Sequence, residues 1–143
     1  MATSNAATNY LERRILHYIF KNNSLSFSSP GDSLYVGLAT AVSAAETGSL
    51  TEANFTNYVR KQVVAANWTT IGADSTDTQT AKNSANVEYP ASGGTNNTIS
   101  HVFVADASTG GNILFVGELD VSKVIADGDI FRINAGNLTI ELK

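Results

Sequence analysis

The amino-acid sequence predicts a mainly β protein: one antiparallel β-sandwich or jelly roll of about seven or eight strands with a single N-terminal helix. Apolar and polar residues alternate with a period of two through the last third of the chain, which is typical of strands with one buried face. Clusters of glycine, asparagine and aspartate separate these stretches and favour tight turns. Near the N-terminus the apolar residues recur at helical spacing instead. At 143 residues, the chain is expected to form one domain over residues 1–143.

The stretch 99–142 carries most of this prediction. Its inward-facing apolar positions are predicted to be Ile99, Phe103, Ala105, Ile113, Phe115, Leu119, Val121, Leu138, Ile140 and Leu142. Turn-forming residues occupy 106–112, 127–129 and 134–137. We therefore expect an antiparallel meander in which sequential strands are neighbours and the chain ends in a closing hairpin.

The other elements follow from local patterns. A nearly continuous apolar strand is expected at 34–40, a short helical turn at 50–54, and an alternating strand at 57–66 with Val59 and Val63 on one face. Residues 69–98 are dominated by small polar residues and are expected to form long loops, interrupted only by a strand at 84–89.

The predicted helix spans about residues 9–20 and ends at Asn22-Asn23. A helix that only covers its own domain needs one apolar stripe, whereas this one has apolar residues on a second side as well. We therefore expect a partner subunit to cover part of it. The lone tryptophan is expected to anchor either the core or the same interface. The predicted assembly residues are Leu11, Ile15, Tyr18, Ile19, Phe20 and Trp68.

Charge and composition exclude several classes of function. The formal net charge is −4, whereas binding to nucleic acid requires clustered lysine and arginine. The sequence has two basic pairs, Arg13-Arg14 and Arg60-Lys61, and a position on the solvated surface explains both without a nucleic-acid partner. Because cysteine is absent, the chain has no disulfide, thiolate nucleophile or cysteine zinc site. The N-terminal residues lack the pattern of a signal peptide, and no apolar run has the length of a membrane span, so no membrane partner is expected.

No group of residues predicts catalysis. Ser100, His101 and Asp106 could be sketched as a nucleophilic triad, but neighbours along a regular strand point to opposite faces, so Ser100 and His101 are not expected to meet. A buried, hydrogen-bonded His101 is the simpler expectation. Glu118 and Asp120 share a solvent-facing side, so the pair does not predict the two-carboxylate site of a glycosidase.

Metal and cofactor sites are not predicted either. Asp127 and Asp129 flank a glycine, and the tight turn explains this pattern without a bound ion, because the distal glutamate of a calcium loop is missing. The sequence therefore predicts no catalytic residue, no metal site and no cofactor.

Taken together, the order of the segments resembles a family of small virion structural proteins of tailed bacteriophages, the tail fibre-like or head decoration (cement) proteins. After the N-terminal helix, the segments that carry this resemblance are LYVGLAT (34–40), NYVRKQV (57–63), NVEYP (86–90), 98–119 and 123–142. The most specific segments are the hairpin around 101–112 and the C-terminal segment 128–140. Both indicate a fold rather than a reaction.

The resemblance implies assembly without catalysis. It implies a capsid decoration or cement protein whose partners are the major capsid protein and further copies of this chain, as a homotrimer. It places the protein in the virion, after assembly in the cytoplasm of the bacterial host. The alternative that it implies is a tail or tail-fibre-base component bound to other tail proteins.

Overall fold

The computed structural model describes residues 5–22, 34–69 and 79–142. These ranges contain ten strands, one α-helix and one 3₁₀ turn (Ala65–Asn67). The helix is α1 (Asn9–Lys21), and the strands are β1 (Ala6–Ala7), β2 (Tyr35–Ala44), β3 (Ser49–Glu52), β4 (Lys61–Gln62), β5 (Gln79–Lys82), β6 (Val87–Glu88), β7 (Asn97–Ala105), β8 (Ile113–Ile125), β9 (Arg132–Ile133) and β10 (Thr139–Leu142). Four of these strands have only two residues, too few for an alternating pattern to reveal, so more strands are present than the sequence predicts.

The strands form one large antiparallel sheet and two small ribbons. The large sheet has the order β1-β8-β7-β2-β3, and β4 pairs with β2 beside β3. The ribbons are β10 with β5 and β6 with β9. This confirms a mainly β, antiparallel protein with one N-terminal helix, and α1 matches the expected helix. The assignment as a β-sandwich or jelly roll stays a prediction.

The predicted meander is correct only for the β7–β8 hairpin. After β8 the chain leaves the large sheet, since β9 pairs with β6 and β10 pairs with β5. The last two strands therefore do not form a hairpin with each other, and this part of the prediction is wrong. Turn residues indicate where a strand ends, but they do not say which distant strand will satisfy its backbone groups.

Two apolar clusters occupy the two faces of the large sheet. The larger cluster, to which the β6–β9 ribbon contributes, contains Val36, Leu38, Ala53, Phe55, Val63, Val87, Tyr89, Ile99, Val102, Ile125, Phe131, Ile133 and Leu138. The smaller cluster contains Ala39, Ala45, Phe103, Ala105 and Val116. Two register shifts within β2 curl its distal half, so that the β2–β3 hairpin packs against the second face.

Bulges in β7 and β8 change which side chains face the core, so the predicted inward face of these strands is partly wrong. A register shift between Ile99 and His101 places Ile99 in the larger cluster, whereas Phe103 belongs to the smaller one. Between two successive β7–β8 pairs, β8 has four residues (119–122), whereas β7 has only Ser100. Val121 lies in this bulge and is consequently exposed. Extra residues on one strand change which face the following side chains occupy. Leu142, at the end of β10, is exposed as well.

Three further local predictions differ from the structure. The expected helical turn at 50–54 is instead strand β3, which pairs with β2. Within 57–66 only β4 is a strand, and Val59 is exposed while Val63 is buried. The polar region 69–98 also contains β5 and the start of β7, besides β6 at its expected place. Residues 70–78 of that region lie outside the described residues.

A buried arginine ties the β7–β8 turn to strand β3. The side chain of Arg60 is 6 % exposed, and its Nε and Nη2 donate to the two carboxylate oxygens of Glu52, each at 2.8 Å. Its Nη1 donates to the backbone carbonyls of Ala107 and Gly110, both at 2.8 Å. The guanidinium lies 5.0 Å from the centre of the Phe103 ring. The hydrogen bond to Glu52 raises the pKa of Arg60, so this side chain stays charged.

Two stacked tyrosines extend this polar connection into the core. The Tyr58 hydroxyl donates to Glu52 Oε1 at 2.8 Å and accepts the Leu38 backbone N–H at 3.0 Å. The Tyr89 hydroxyl donates to the Val36 carbonyl at 2.8 Å, and the two rings stack with centroids 6.0 Å apart. Burial is the main cause that raises the pKa of both phenols above the ordinary value of about 10.

These tyrosines predict a loss of stability in alkaline solution. Below about pH 10 both phenols are neutral in the folded and unfolded chain, so their contribution to folding is complete. At higher pH the unfolded chain releases these protons while the folded chain holds them, and the free energy of unfolding falls by up to about 1.4 kcal/mol per pH unit for each phenol. Urea unfolding at a series of pH values measures this slope. In Tyr58→Phe the slope above pH 10 should be shallower than in the wild type, and an equal slope would contradict the prediction.

Candidate assembly surface

The beginning of α1 is fixed to the domain by several hydrogen bonds. Thr8 is the N-cap, and its Oγ1 accepts the Leu11 N–H at 3.4 Å while donating to the Ile113 carbonyl at 2.6 Å. The backbone N–H of Thr8 donates to the carbonyl of Leu114 at 2.9 Å. Asn9 donates in the same way to Glu46 at 2.6 Å. The first turn is therefore held at the start of β8 and at the β2–β3 turn.

The C-terminal half of α1 is mostly exposed. Leu11 in the first turn is 7 % exposed and Ile15 is partly buried, but the large apolar side chains of the last two turns are mostly exposed. Their exposed fractions are 55 % for Leu16, 58 % for Tyr18, 61 % for Ile19 and 73 % for Phe20. We call these four residues the helix overhang. Covering the exposed part of each such side chain contributes on the order of 1–2 kcal/mol before the costs of association, so the helix overhang is suited to contact with another chain.

The helix ends with an asparagine cap. Asn22 has φ 53° and ψ 30°, and its backbone N–H donates to the His17 carbonyl. Asparagine tolerates this left-handed conformation better than most residues. The stop predicted at Asn22-Asn23 is confirmed for Asn22, whereas Asn23 lies outside the described residues.

The predicted assembly residues do not share one surface. Tyr18, Ile19 and Phe20 belong to the helix overhang, whereas Leu11 is buried against its own domain and anchors the helix there. The contact of Leu11 with a partner stays a prediction. Trp68 packs against the larger core cluster, and its Nε1 donates to the Val63 carbonyl at 3.3 Å. Of the two roles expected for Trp68, its surroundings are those of a core anchor.

Thr8 positions the whole helix, although it is not among the predicted residues. A threonine just before the first apolar residue of a helical pattern is a standard start signal, and its side chain could have been assigned as the N-cap. Its second bond, to Ile113, joins residues 105 positions apart and has no local signal. Asn5 was missed for the same reason: its Oδ1 accepts the N–H of Glu118 at 2.7 Å, across 113 positions.

The structure corrects one prediction about His101. Ser100 Oγ and His101 Nδ1 are 2.7 Å apart, so these neighbours do meet, because the register shift beside them interrupts the regular alternation of the strand. His101 is partly exposed rather than buried. Asp106 is five residues further along, or about 17 Å in an extended strand. Its carboxylate instead accepts the backbone N–H and the Nδ2 of Asn112, at 2.7 and 2.9 Å. These three residues thus do not form a triad.

The acidic turn at 127–129 is built by its own hydrogen bonds. Asp129 Oδ2 accepts the Ala126 N–H at 2.9 Å, and Gly128 has φ 82°, which favours glycine. Within residues 5–22, 34–69 and 79–142, no group of three or more histidine, aspartate or glutamate side chains could hold a metal ion. In the same part of the chain, α1 is too short and too polar to cross a bilayer.

Comparison with known proteins identifies the family. The family model of Podophage GP4 fiber I protein gp80 matches residues 6–141. No curated protein matches the chain. The matched segment runs from β1 through most of β10 and so covers the helix overhang together with the large sheet and both ribbons. This chain therefore belongs to the family of Podophage GP4 fiber I protein gp80, a family of phage virion structural proteins.

Proposed function

We propose that this chain is a structural component of the tail fibre or fibre base of a phage particle, and that it acts by protein–protein contact. The helix overhang carries the proposal, because four large apolar side chains exposed on one helix end require a partner surface in a stable assembly. The family description supports the tail, since it names a fibre protein. Capsid decoration, which the resemblance of the sequence implies first, is the competing outcome.

The remaining surface fits the same role. Charged residues make up only 15 % of the chain, and the two arginine–glutamate pairs described are used within the domain. Interfaces of stable complexes typically bury about 800 Å² on each partner and gain little from exposed charge. A weakly charged surface with large apolar side chains exposed at the end of α1 is suited to a fixed position among other virion proteins, which we propose as its partners.

The position in the particle tests this function. We expect purified virions to contain about a dozen copies of the chain or fewer, as a closed ring of a few subunits gives, with immunogold label at the tail. Quantitative mass spectrometry against the major capsid protein gives the copy number. Separated heads and tails provide the control, because the chain should remain with the tails. Hundreds of copies and label over the whole head would contradict the proposal and support capsid decoration.

A further inference from the structure

We propose that one face of α1 binds in a groove of another virion protein, and that this groove is apolar with carboxylates along one wall. This docking face consists of Leu16, Ile19 and Phe20, and Arg13 and Lys21 lie along one of its sides. The proposal rests on the function proposed above and adds the chemistry of the partner. Three properties of the helix support it: the direction of the docking face, the spacing of its side chains and the charges beside it.

The docking face points away from the surface that anchors the helix. Leu11 is buried against its own domain, and Phe20 follows it by nine residues, so the two side chains lie about 180° apart around the helix axis. Leu16 is turned from Leu11 by about 140° and Ile19 by about 80°. Tyr18, at about 20°, lies on the same side as Leu11 and is therefore not part of the docking face. Because the domain surface that buries Leu11 cannot also cover Leu16 and Phe20, a separate surface is needed for them.

The side chains of the docking face have the spacing of a helix that binds in a groove. Counted from Leu16, Ile19 is at i+3 and Phe20 at i+4, so the three are neighbours on one face. Amphipathic helices that bind in apolar grooves of other proteins use anchors at these positions. The helix ends at its Asn22 cap, directly after this face. The partner's groove therefore needs to enclose only the last two turns of α1.

Positive charges lie along one side of the docking face. Arg13 and Lys21 are both exposed, and at about 100° per residue both lie on the same side of Phe20. The third basic residue of the helix is used within it, since the Arg14 guanidinium lies 5.2 Å from the centre of the Tyr10 ring. Eight residues separate Arg13 from Lys21, which is about 12 Å along the helix axis. A complementary partner has carboxylates at a similar separation along one wall of its groove.

These charges disfavour a contact between the helices of two copies. If two copies of α1 packed antiparallel about a two-fold axis, each side of one helix would face the same side of the other, so the basic sides would meet. Like charges placed in this way oppose association. In a parallel pair, the only acid that α1 offers to Arg13 and Lys21 is Glu12. A different protein with an acidic groove wall is therefore the better match for this helix.

Carbodiimide cross-linking of purified virions tests the acidic wall. The reagent joins a lysine amine directly to a carboxylate, without a spacer, so a product reports contact between the two groups. We expect Lys21 to be linked to an aspartate or glutamate of another virion protein, which mass spectrometry of the joined peptides identifies. Lys21→Arg is the control, because it keeps the positive charge, and hence incorporation into virions, but removes the amine and with it the cross-link.

Competition for places in the virion tests the charges. When variant and wild-type chains are supplied in equal amounts, Arg13→Glu with Lys21→Glu should be incorporated about tenfold less often, because it brings like charges to the groove wall. The matched control is Lys82→Glu with Lys123→Glu, which makes the same change in net charge at exposed positions outside α1. The control should compete as the wild type does. Quantitative mass spectrometry gives the ratio, and circular dichroism establishes that each purified variant is folded.

The same competition tests the apolar part of the docking face. Phe20→Ala removes the most exposed of its three anchors, and we expect about 30-fold lower incorporation, which is typical of an interface residue that dominates binding. Val59→Ala is the control, since Val59 is also an exposed apolar side chain but lies outside α1. It should be incorporated as often as the wild type.

Several outcomes would overturn this inference. Lys21 cross-linked only to carboxylates of this same chain, in its own or a second copy, would show that no other protein supplies the wall. A folded charge-reversal variant incorporated like the wild type would exclude the acidic groove. Binding of the purified chain to phosphatidylcholine vesicles with anionic phosphatidylglycerol, lost in Phe20→Ala, would identify a lipid surface instead. The proposed function fails separately: wild-type label over the head contradicts a tail component, whereas normal incorporation of the charge-reversal variant at the tail contradicts only the acidic groove.

Discussion

Replacing Arg60 with alanine is expected to lower the free energy of unfolding by about 3–5 kcal/mol. Arg60 is almost fully buried, and its loss leaves the Glu52 carboxylate without its bidentate partner and two backbone carbonyls, of Ala107 and Gly110, without donors. It also removes the cation over the Phe103 ring. For a chain of this length the melting temperature should fall by roughly 10–20 °C, which thermal unfolding followed by circular dichroism measures.

The chain supplies its own control for this measurement. Arg132 and Glu88 form a second pair at 2.7 Å, but both side chains are about half exposed (49 % and 48 %). Exposed pairs of this kind contribute at most about 1 kcal/mol, so Arg132→Ala should change stability only slightly. The loss of stability for Arg60→Lys should lie between the losses for Arg60→Ala and Arg132→Ala, because lysine keeps the charge but cannot reproduce the planar guanidinium and its paired hydrogen bonds. Equal losses for Arg60→Ala and Arg132→Ala would show that the buried pair has no special role.

Interactions between near neighbours in the sequence were predictable. The helix, the apolar strand β2 and the β7–β8 hairpin follow from spacing and turn residues, because the groups that define them lie within a few positions of each other. Arg60 shows the limit of this approach. In the sequence it is one half of a basic pair that suggests solvated surface, and only the pairing of distant strands brings it to a carboxylate, two carbonyls and a ring.

The assembly surface was predictable in kind but not in position. Leu11 and Ile19 lie on the same side of the helix, eight residues apart, and both match the apolar pattern. One is buried and the other mostly exposed, because hydrogen bonds from Thr8 fix where the helix meets the sheet, and these depend on contacts far away in the chain. The place of β10 was not predictable either, since β10 leaves its sequence neighbours and pairs with β5.

Asn83 is the clearest case of a structural residue without a sequence signal. It stands in a stretch rich in threonine, asparagine and serine, yet it is fully buried. Its Nδ2 donates to the carbonyls of Ala85 and Asn134, at 2.8 and 3.0 Å, and its Oδ1 accepts the Leu138 N–H at 2.9 Å. One amide thus joins the start of β6 to the turn between β9 and β10.

Asn83→Asp is expected to cost about 2–4 kcal/mol although it changes only one heavy atom. The carboxylate keeps the acceptor for Leu138 but places negative charge against two carbonyl oxygens that have lost their donors. Because a buried carboxylate favours its proton, the loss should shrink as the pH is lowered toward about 4, when the acid can donate one hydrogen bond again. Urea unfolding at neutral and acidic pH measures both effects.

The same substitution at Asn86 is the control, and it separates burial from the chemistry of the change. Asn86 is exposed, and its Oδ1 accepts the Ala135 N–H at 2.9 Å, a bond that an aspartate can keep. Asn86→Asp should therefore alter stability by less than about 0.5 kcal/mol, with little dependence on pH. If both variants lose the same stability, added negative charge in this region is the cause, and Asn83 is not the connection between β6 and the final turn that its hydrogen bonds indicate.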